Sequence, residues 1–261
     1  MKDLKGKKIL ILKLRYIGDT LSLIPVIENL NEKAADLSVD VMVNRGTEEV
    51  LTTHPGIGKL WVYDRSKAKK NIISSISYHS HLIKSLRLEK YEVVIDFTHG
   101  DRAAFISFLT GASERISYRQ SSGLSRLLMN HLIDEDPHKQ HIVDYQLHAL
   151  RAFGLDHFSR SATLHIPETV QERIDGLLAE SGLGRDSPKV VIHPGARGKL
   201  RQWAPARFAE IARRFVEFYR ADIILIGGSE EGDLVEEVQR FMGFSPALKT
   251  TRLSLLEMGA L

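Results

Sequence analysis

The segment Lys8 to Leu30, KILILKLRYIGDTLSLIPVIENL, constrains this chain more than any other stretch. Lys8–Leu14 is a short aliphatic run of the kind that forms a strand buried on both faces. Arg15-Tyr16-Ile17-Gly18-Asp19 follows as a tight turn. Leu21, Ile24, Ile27 and Leu30 then recur at helical spacing, which predicts one amphipathic helix. A strand-turn-helix opening of this kind belongs to a doubly wound α/β sheet. In such sheets ligands gather where a strand's carboxyl end meets a helix N-terminus. Two readings of the turn stand side by side. Either Gly18 makes the turn and Asp19 or Thr20 caps the helix, or Gly18 lets the backbone approach a ligand and Asp19 sets a carboxylate at the mouth of the crevice.

Later segments repeat the alternation. Strands are predicted at 39–43, 59–63, 93–97 and 114–118, with helices at 47–53, 78–89 and 102–109 and a parallel sheet as the outcome. Arg65 to Ser77 is polar and basic and reads as a loop, either solvated or resting on anionic lipid. Thr98-His99-Gly100-Asp101-Arg102 again joins a strand end to a helix, and should lie beside the Gly18-Asp19 turn. Arg102, Arg115 and Arg119 are either solvated charges or bidentate ligands for phosphates or carboxylates. His138 and His141 lack a carboxylate at helical spacing and read as surface histidines rather than metal ligands. A helix over Val143–Leu150 ends at Gly154, and Pro167 opens the next one, which Gly182 and Gly184 end. The domain boundary falls between these two points, giving domains 1–160 and 161–261. Strands at 190–193 and 222–226, with helices after each, form the second sheet, and Thr251 is the expected cap of a final helix.

Composition narrows the class. The chain has 261 residues, 43% hydrophobic and 26% charged, with a net charge of +3. Cysteine is absent, which excludes thiolate catalysis and cysteine-based zinc sites and is compatible with a reducing cytoplasm. No apolar run approaches the ~20 residues of a membrane span. The apolar N-terminal run is broken by Lys13 and Arg15, unlike a signal peptide. The turn also lacks the G-x-G-x-x-G of a dinucleotide oxidoreductase.

The opening K-I-L-I-x-K-x-R-x-x-G-D-x-x-x-x-x-P, the segment VVIHPGARGKLRQWAPARFAEIARRF and the strand-turn IILIGGSEEGD together resemble the ADP-heptose:lipopolysaccharide heptosyltransferases, glycosyltransferase family 9. The resemblance runs along essentially the whole chain. It implies a GT-B-like α/β architecture of two Rossmann-like domains with parallel sheets, acceptor on the first and nucleotide sugar on the second. The implied reaction transfers heptose from ADP-heptose to a hydroxyl of the lipopolysaccharide inner core, with inversion. Asp19 matches the family's catalytic aspartate, a general base taking the acceptor proton. On the acceptor side the resemblance implies that Gly18 keeps the backbone close to the sugar, and Arg15, His99, Arg102 and Arg119 are the further candidate acceptor-binding residues. On the donor side it places His193, Gly195, Arg197, Lys199 and Arg201, in a loop whose N–H groups can meet phosphate. Arg201 stands where the family usually has lysine, a fork in place of a point charge. His193 reads equally as a strand end, and Trp203 as packing beneath the loop. No metal or other cofactor is implied, so the leaving diphosphate would be neutralised by these cations. The expected setting is cytoplasmic, with peripheral contact at the inner membrane's cytoplasmic face and no nucleic-acid partner. The resemblance also implies a later D-[ST]-G-x-x-H-x-A-A segment that this sequence does not contain. The second domain is therefore expected to be incomplete, which leaves a catalytically incompetent saccharide-binding module as the alternative function.

Overall fold

The computed structural model describes residue 4 and residues 6–33, 36–119, 123–136, 139–183 and 187–261. His138 and Gly184 lie outside them. The chain divides into two compact units, Met1–His165 and Ile166–Leu261.

The first unit is built on a parallel sheet of six strands: β1 (Lys8–Lys13), β2 (Ser38–Asn44), β3 (Leu60–Tyr63), β4 (Val93–Asp96), β5 (Glu114–Tyr118) and β6 (His131–Ile133). Their spatial order is β3-β2-β1-β4-β5-β6. Strands β1, β2 and β4 are buried along nearly their whole length. That explains why their sequences run apolar rather than alternate. Strand order reverses between β1 and β4, which is where a doubly wound sheet opens a crevice at its carboxyl edge.

The single helix expected after β1 is two: α1 (Ile17–Leu21) and α2 (Ile24–Lys33). Pro25 accounts for the break, since it has no N–H to give Leu21 and its ring crowds the preceding turn. Residues 65–77 are also not a loop. A 3₁₀ turn spans Lys67–Lys69, and α3 runs Ile72–Leu88. Asn71 caps it, its side chain accepting the Ser74 N–H at 2.7 Å. Helix α4 (Asp101–Thr110) closes on Gly111 at φ 82°, a left-handed position that glycine takes without strain. The chain continues through α5 (Gly123–Leu128) and the unforeseen β6. It then enters α6 (Ile142–Leu147) and a 3₁₀ segment to Phe153.

The second unit holds α7 (Glu168–Glu180), β7 (Lys189–Ile192), α8 (Pro205–Tyr219), β8 (Asp222–Ile226), α9 (Gly232–Met242), β9 (Leu248–Thr250) and α10 (Leu255–Ala260). Its parallel sheet has the order β7-β8-β9. Ile223 and Leu225 pack with Ala209, Ala212, Val235 and Val238 on one face. Ile224 and Ile226 pack with Leu183 and Leu248 on the other. The cap of α10 is Ser254, not Thr251. Ser254 and Glu257 form the reciprocal S-x-x-E box, with Glu257 Oε2 accepting the Ser254 N–H at 2.8 Å.

Candidate functional site

At the switch point the loops after β1 and β4 are stitched together. The Leu14 N–H donates to Thr98 Oγ1 at 2.9 Å, and Arg15 Nε to the Thr98 carbonyl at 3.0 Å. The two loops therefore form one surface, as the sequence predicts.

Lys13 lies beneath that surface, only 2% exposed, at the carboxyl end of β1. A buried ammonium needs acceptors. Lys13 has the Phe97 carbonyl at 3.1 Å and Asp19 Oδ1 at 3.5 Å. Gln146, its amide turned so that the nitrogen donates to the Ser22 carbonyl at 2.7 Å, offers its oxygen to Lys13 Nζ at 2.9 Å. Burial lowers the Lys13 pKa, and the Asp19 charge opposes that shift. Lys13→Met would leave these acceptors facing a methyl group. We expect it to lose about 3 kcal/mol of unfolding free energy in urea titrations.

Asp19 is 30% exposed on its side chain. One oxygen faces Lys13 and the other accepts the Tyr16 N–H at 3.3 Å. The carboxylate thus both caps its own helix and presents itself at the crevice. Gly18, two residues into α1, is helical, and a methyl group there would meet nothing within 4 Å. It makes no special turn, and the space beside it is open.

Next to Lys13, Asp96 ends β4 with no exposure at all. Its Oδ1 accepts the Thr98 N–H at 2.7 Å, while Oδ2 has no partner. Burial pushes its carboxyl up to about 7, against the pull of Lys13. His99 sits at φ 62°, a left-handed conformation uncommon outside glycine. Its ring rests on Tyr118 and Tyr145, which stack at 4.0 Å. Burial first, then the Lys13 and Arg15 charges, bring its pKa down to about 4. At neutral pH His99 is an uncharged imidazole, suited to a hydroxyl rather than an anion.

The arginines divide by task. Arg102 is exposed and lies 5.5 Å over the Tyr63 ring. Arg119 pairs with Asp134 at 3.5 Å, both well exposed. Arg115 is structural: it donates to the Leu128 carbonyl at 2.9 Å and the Ala112 carbonyl at 2.5 Å. His141 caps α6, accepting the Val143 N–H at 3.3 Å.

In the second unit the loop after β7 meets the loop after β8 through Glu231, which the sequence did not single out. Glu231 Oε2 accepts the Gly228 N–H at 2.7 Å and faces His193 Nε2 at 3.1 Å. Gly195 lies so near this carboxylate that a Cβ there would fall 1.9 Å from Glu231 Oε1, so a larger residue would have to push Glu231 off its Gly228 and His193 contacts. Lys199 and Arg201 share one exposed 3₁₀ turn, and Arg197 is exposed just before it. Trp203 packs edge-on against Phe208 at 5.5 Å.

Glu28, His54 and His165 bring donor atoms within 4.8 Å of one another, the only such trio among the described residues. However, His54 Nδ1 accepts the Gly56 N–H at 3.1 Å, which puts the ring proton on Nε2 and removes the lone pair a metal would need.

Comparison with known proteins bears on both units. The family model for glycosyltransferase family 9 (heptosyltransferase) matches residues 79–261, well over half of the chain. A lipopolysaccharide heptosyltransferase 3 of Escherichia coli is 27% identical over 259 residues, covering 95% of this chain and 73% of the relative. A glycosyl transferase family 9 structure from Veillonella parvula DSM 2008 superposes with a TM-score of 0.85 at 21% identity, covering 99% of this chain and 73% of that one. For the E. coli heptosyltransferase WaaC with ADP the TM-score is 0.73 at 16% identity, covering 97% of this chain and 78% of that one. The parallel-sheet α/β architecture is therefore the one found in GT-B heptosyltransferases.

Proposed function

The chain belongs to glycosyltransferase family 9, the heptosyltransferases, and from that footing we propose that it moves heptose from ADP-heptose to a hydroxyl of the lipopolysaccharide inner core. The E. coli relatives named for lipopolysaccharide and the WaaC structure holding ADP support this choice of acceptor and donor. The site of action would be the cytoplasmic face of the inner membrane.

One observation carries the reading: a partly exposed carboxylate, Asp19, is held on a buried cation at the sheet's switch point, beside a neutral imidazole. Asp19 takes the proton of the attacking hydroxyl. It is fixed from below by Lys13 and from the side by the Tyr16 N–H, so little motion is needed to aim it. His99 hydrogen-bonds a neighbouring acceptor hydroxyl. Arg15, Arg102 and Arg119 meet the phosphates or carboxylates of the core, and the open side of Gly18 leaves room for the sugar. Attack from the face opposite the diphosphate inverts the anomeric centre.

The second unit holds the donor. Glu231, His193 and Gly195 shape the floor of its loop, and Arg197, Lys199 and Arg201 offset the charge that grows on the departing ADP. No metal or cofactor is needed, because these cations supply the positive charge.

Incubation with ADP-heptose and a heptose-deficient core saccharide tests the proposal. ADP should appear in step with acceptor consumption, and the new linkage should carry the opposite anomeric configuration by NMR. Acceptor binding in calorimetry without any transfer would instead identify a saccharide-binding module. Absence of both would reject the substrate pair.

A further inference from the structure

Arg65 to Leu88 is chemically one-sided. Arg65, Lys67, Lys69, Lys70, Lys84 and Arg87 give it six cations, and it contains no aspartate or glutamate. Most of this stretch is α3, and the first turns of that helix point large apolar side chains at water. Ile72 is 78% exposed, Ile73 82% and Ile76 65%. Burying them would remove apolar area that folding leaves in contact with solvent.

The surroundings extend the patch. A groove of about 820 Å³ runs along α3 against α4, lined by Ile76, Ile83, Leu88, Phe105 and Leu109 with Lys84 and Arg87 among its walls. Phe105 and Leu88 are themselves 52% and 74% exposed. A second groove on the other side of Ile76 is lined by Ile73, Ser80 and Lys84. Apolar side chains flanked by ammonium and guanidinium groups, with small serines between, are the features of a helix that lies in a lipid-water interface. A protein partner of ordinary composition would be met by charges of both signs. A surface with cations alone around its isoleucines is complementary to an anionic plane. Among the described residues no helix is long and apolar enough to cross a membrane, so the contact is one of lying on the bilayer.

We propose that the outer face of α3, with Ile72, Ile73 and Ile76 inserted and Lys67, Lys70 and Lys84 at the headgroups, docks the protein on an anionic phospholipid bilayer. The isoleucines reach the acyl boundary while the lysines stay at phosphate level. Each half is weak alone, and together they give reversible attachment. The inference rests on the membrane setting proposed above and adds the surface that makes the contact; it can fail while heptose transfer stands, since docking needs neither donor nor acceptor.

Vesicle co-sedimentation of the full chain tests it. Binding is expected to phosphatidylcholine vesicles containing phosphatidylglycerol, about tenfold weaker to phosphatidylcholine alone, and to fall as NaCl is raised toward 0.5 M. Ile73→Ser with Ile76→Ser should weaken it about tenfold without changing the melting temperature, because both side chains are already solvated. Lys67→Ala with Lys70→Ala should weaken it by a similar factor and flatten the salt dependence. The proposal is overturned if the anionic vesicles bind no protein, or if they bind the isoleucine variant as well as the parent. A dimer by light scattering that the isoleucine variant dissolves, without vesicle binding, would give the face to a second copy and equally reject the bilayer.

Discussion

Asp19→Asn is expected to lower kcat for heptose transfer by about a thousandfold while leaving the KM for ADP-heptose nearly unchanged. The amide keeps the size of the carboxylate, and its oxygen still accepts the Tyr16 N–H, so the end of α1 stays formed. What disappears is the group that can receive a proton, together with the anion opposite Lys13. Stability should fall only slightly, by about 1 kcal/mol, since the side chain is partly solvated and solvent screens the pair. Steady-state kinetics with a thermal melt of the same sample separates the two effects. A variant retaining a tenth or more of the parent's kcat would remove Asp19 from the role of base.

The second large effect concerns Asp96 and has a defined sign. Its carboxyl is pushed up to about 7 in the folded chain by complete burial, against an ordinary value of 3.8 when unfolded. Between these two pH values the folded state keeps a proton that the unfolded state has released. Stability therefore falls as pH rises from about 4 to about 7, and stays at the lower level above that. Linkage puts the drop on the order of 4 kcal/mol. Asp96→Asn cannot ionise, so it should lack this slope. At pH 8 it should exceed the parent by about 2 kcal/mol, after about 2 kcal/mol is lost to an amide N–H placed where Oδ2 already has no partner. Urea titrations at pH 4.5, 6 and 8 measure both. An unchanged slope in the variant would mean that some other group holds the proton.

How far the residues announced this arrangement differs from element to element. The β1 turn was legible because an aliphatic run, a Gly-Asp turn and a helical period follow one another there, and each constrains the next. The nearness of the β1 and β4 loops was legible too, from their matching strand-to-helix junctions, but the edge strand β6 was not, because His131–Ile133 is a three-residue run of intermediate burial with no alternation to mark it. Lys13 and Asp96 were missed for a different reason. Each is the last residue of an apolar strand, a place that reads as the first solvated position. They are buried only because two strand ends meet at the switch point, which is a fact of topology. Two polar residues ending two buried strands were the available signal. The start of α3 was lost because its isoleucines cover no core, so the usual amphipathic argument has nothing to act on. Asn71 and the free Ser74 N–H it satisfies were the better guide. The cap of α10 was legible in S-x-x-E and went to the wrong hydroxyl. Glu231 carried no local mark, since its contacts reach His193 and the space beside Gly195, at the exit of another strand.

That last pairing bears on how the loop after β7 can change. Glu231 and Gly195 sit on different strands' exits, and a side chain at 195 is admitted only where the Glu231 carboxylate swings away from the Gly228 N–H and His193. A library that randomises residue 195 while residue 231 stays glutamate should favour glycine, because each larger residue costs the Gly228 and His193 contacts of Glu231. Shortening residue 231 at the same time, as in Glu231→Asp, would open the space that a side chain at 195 needs.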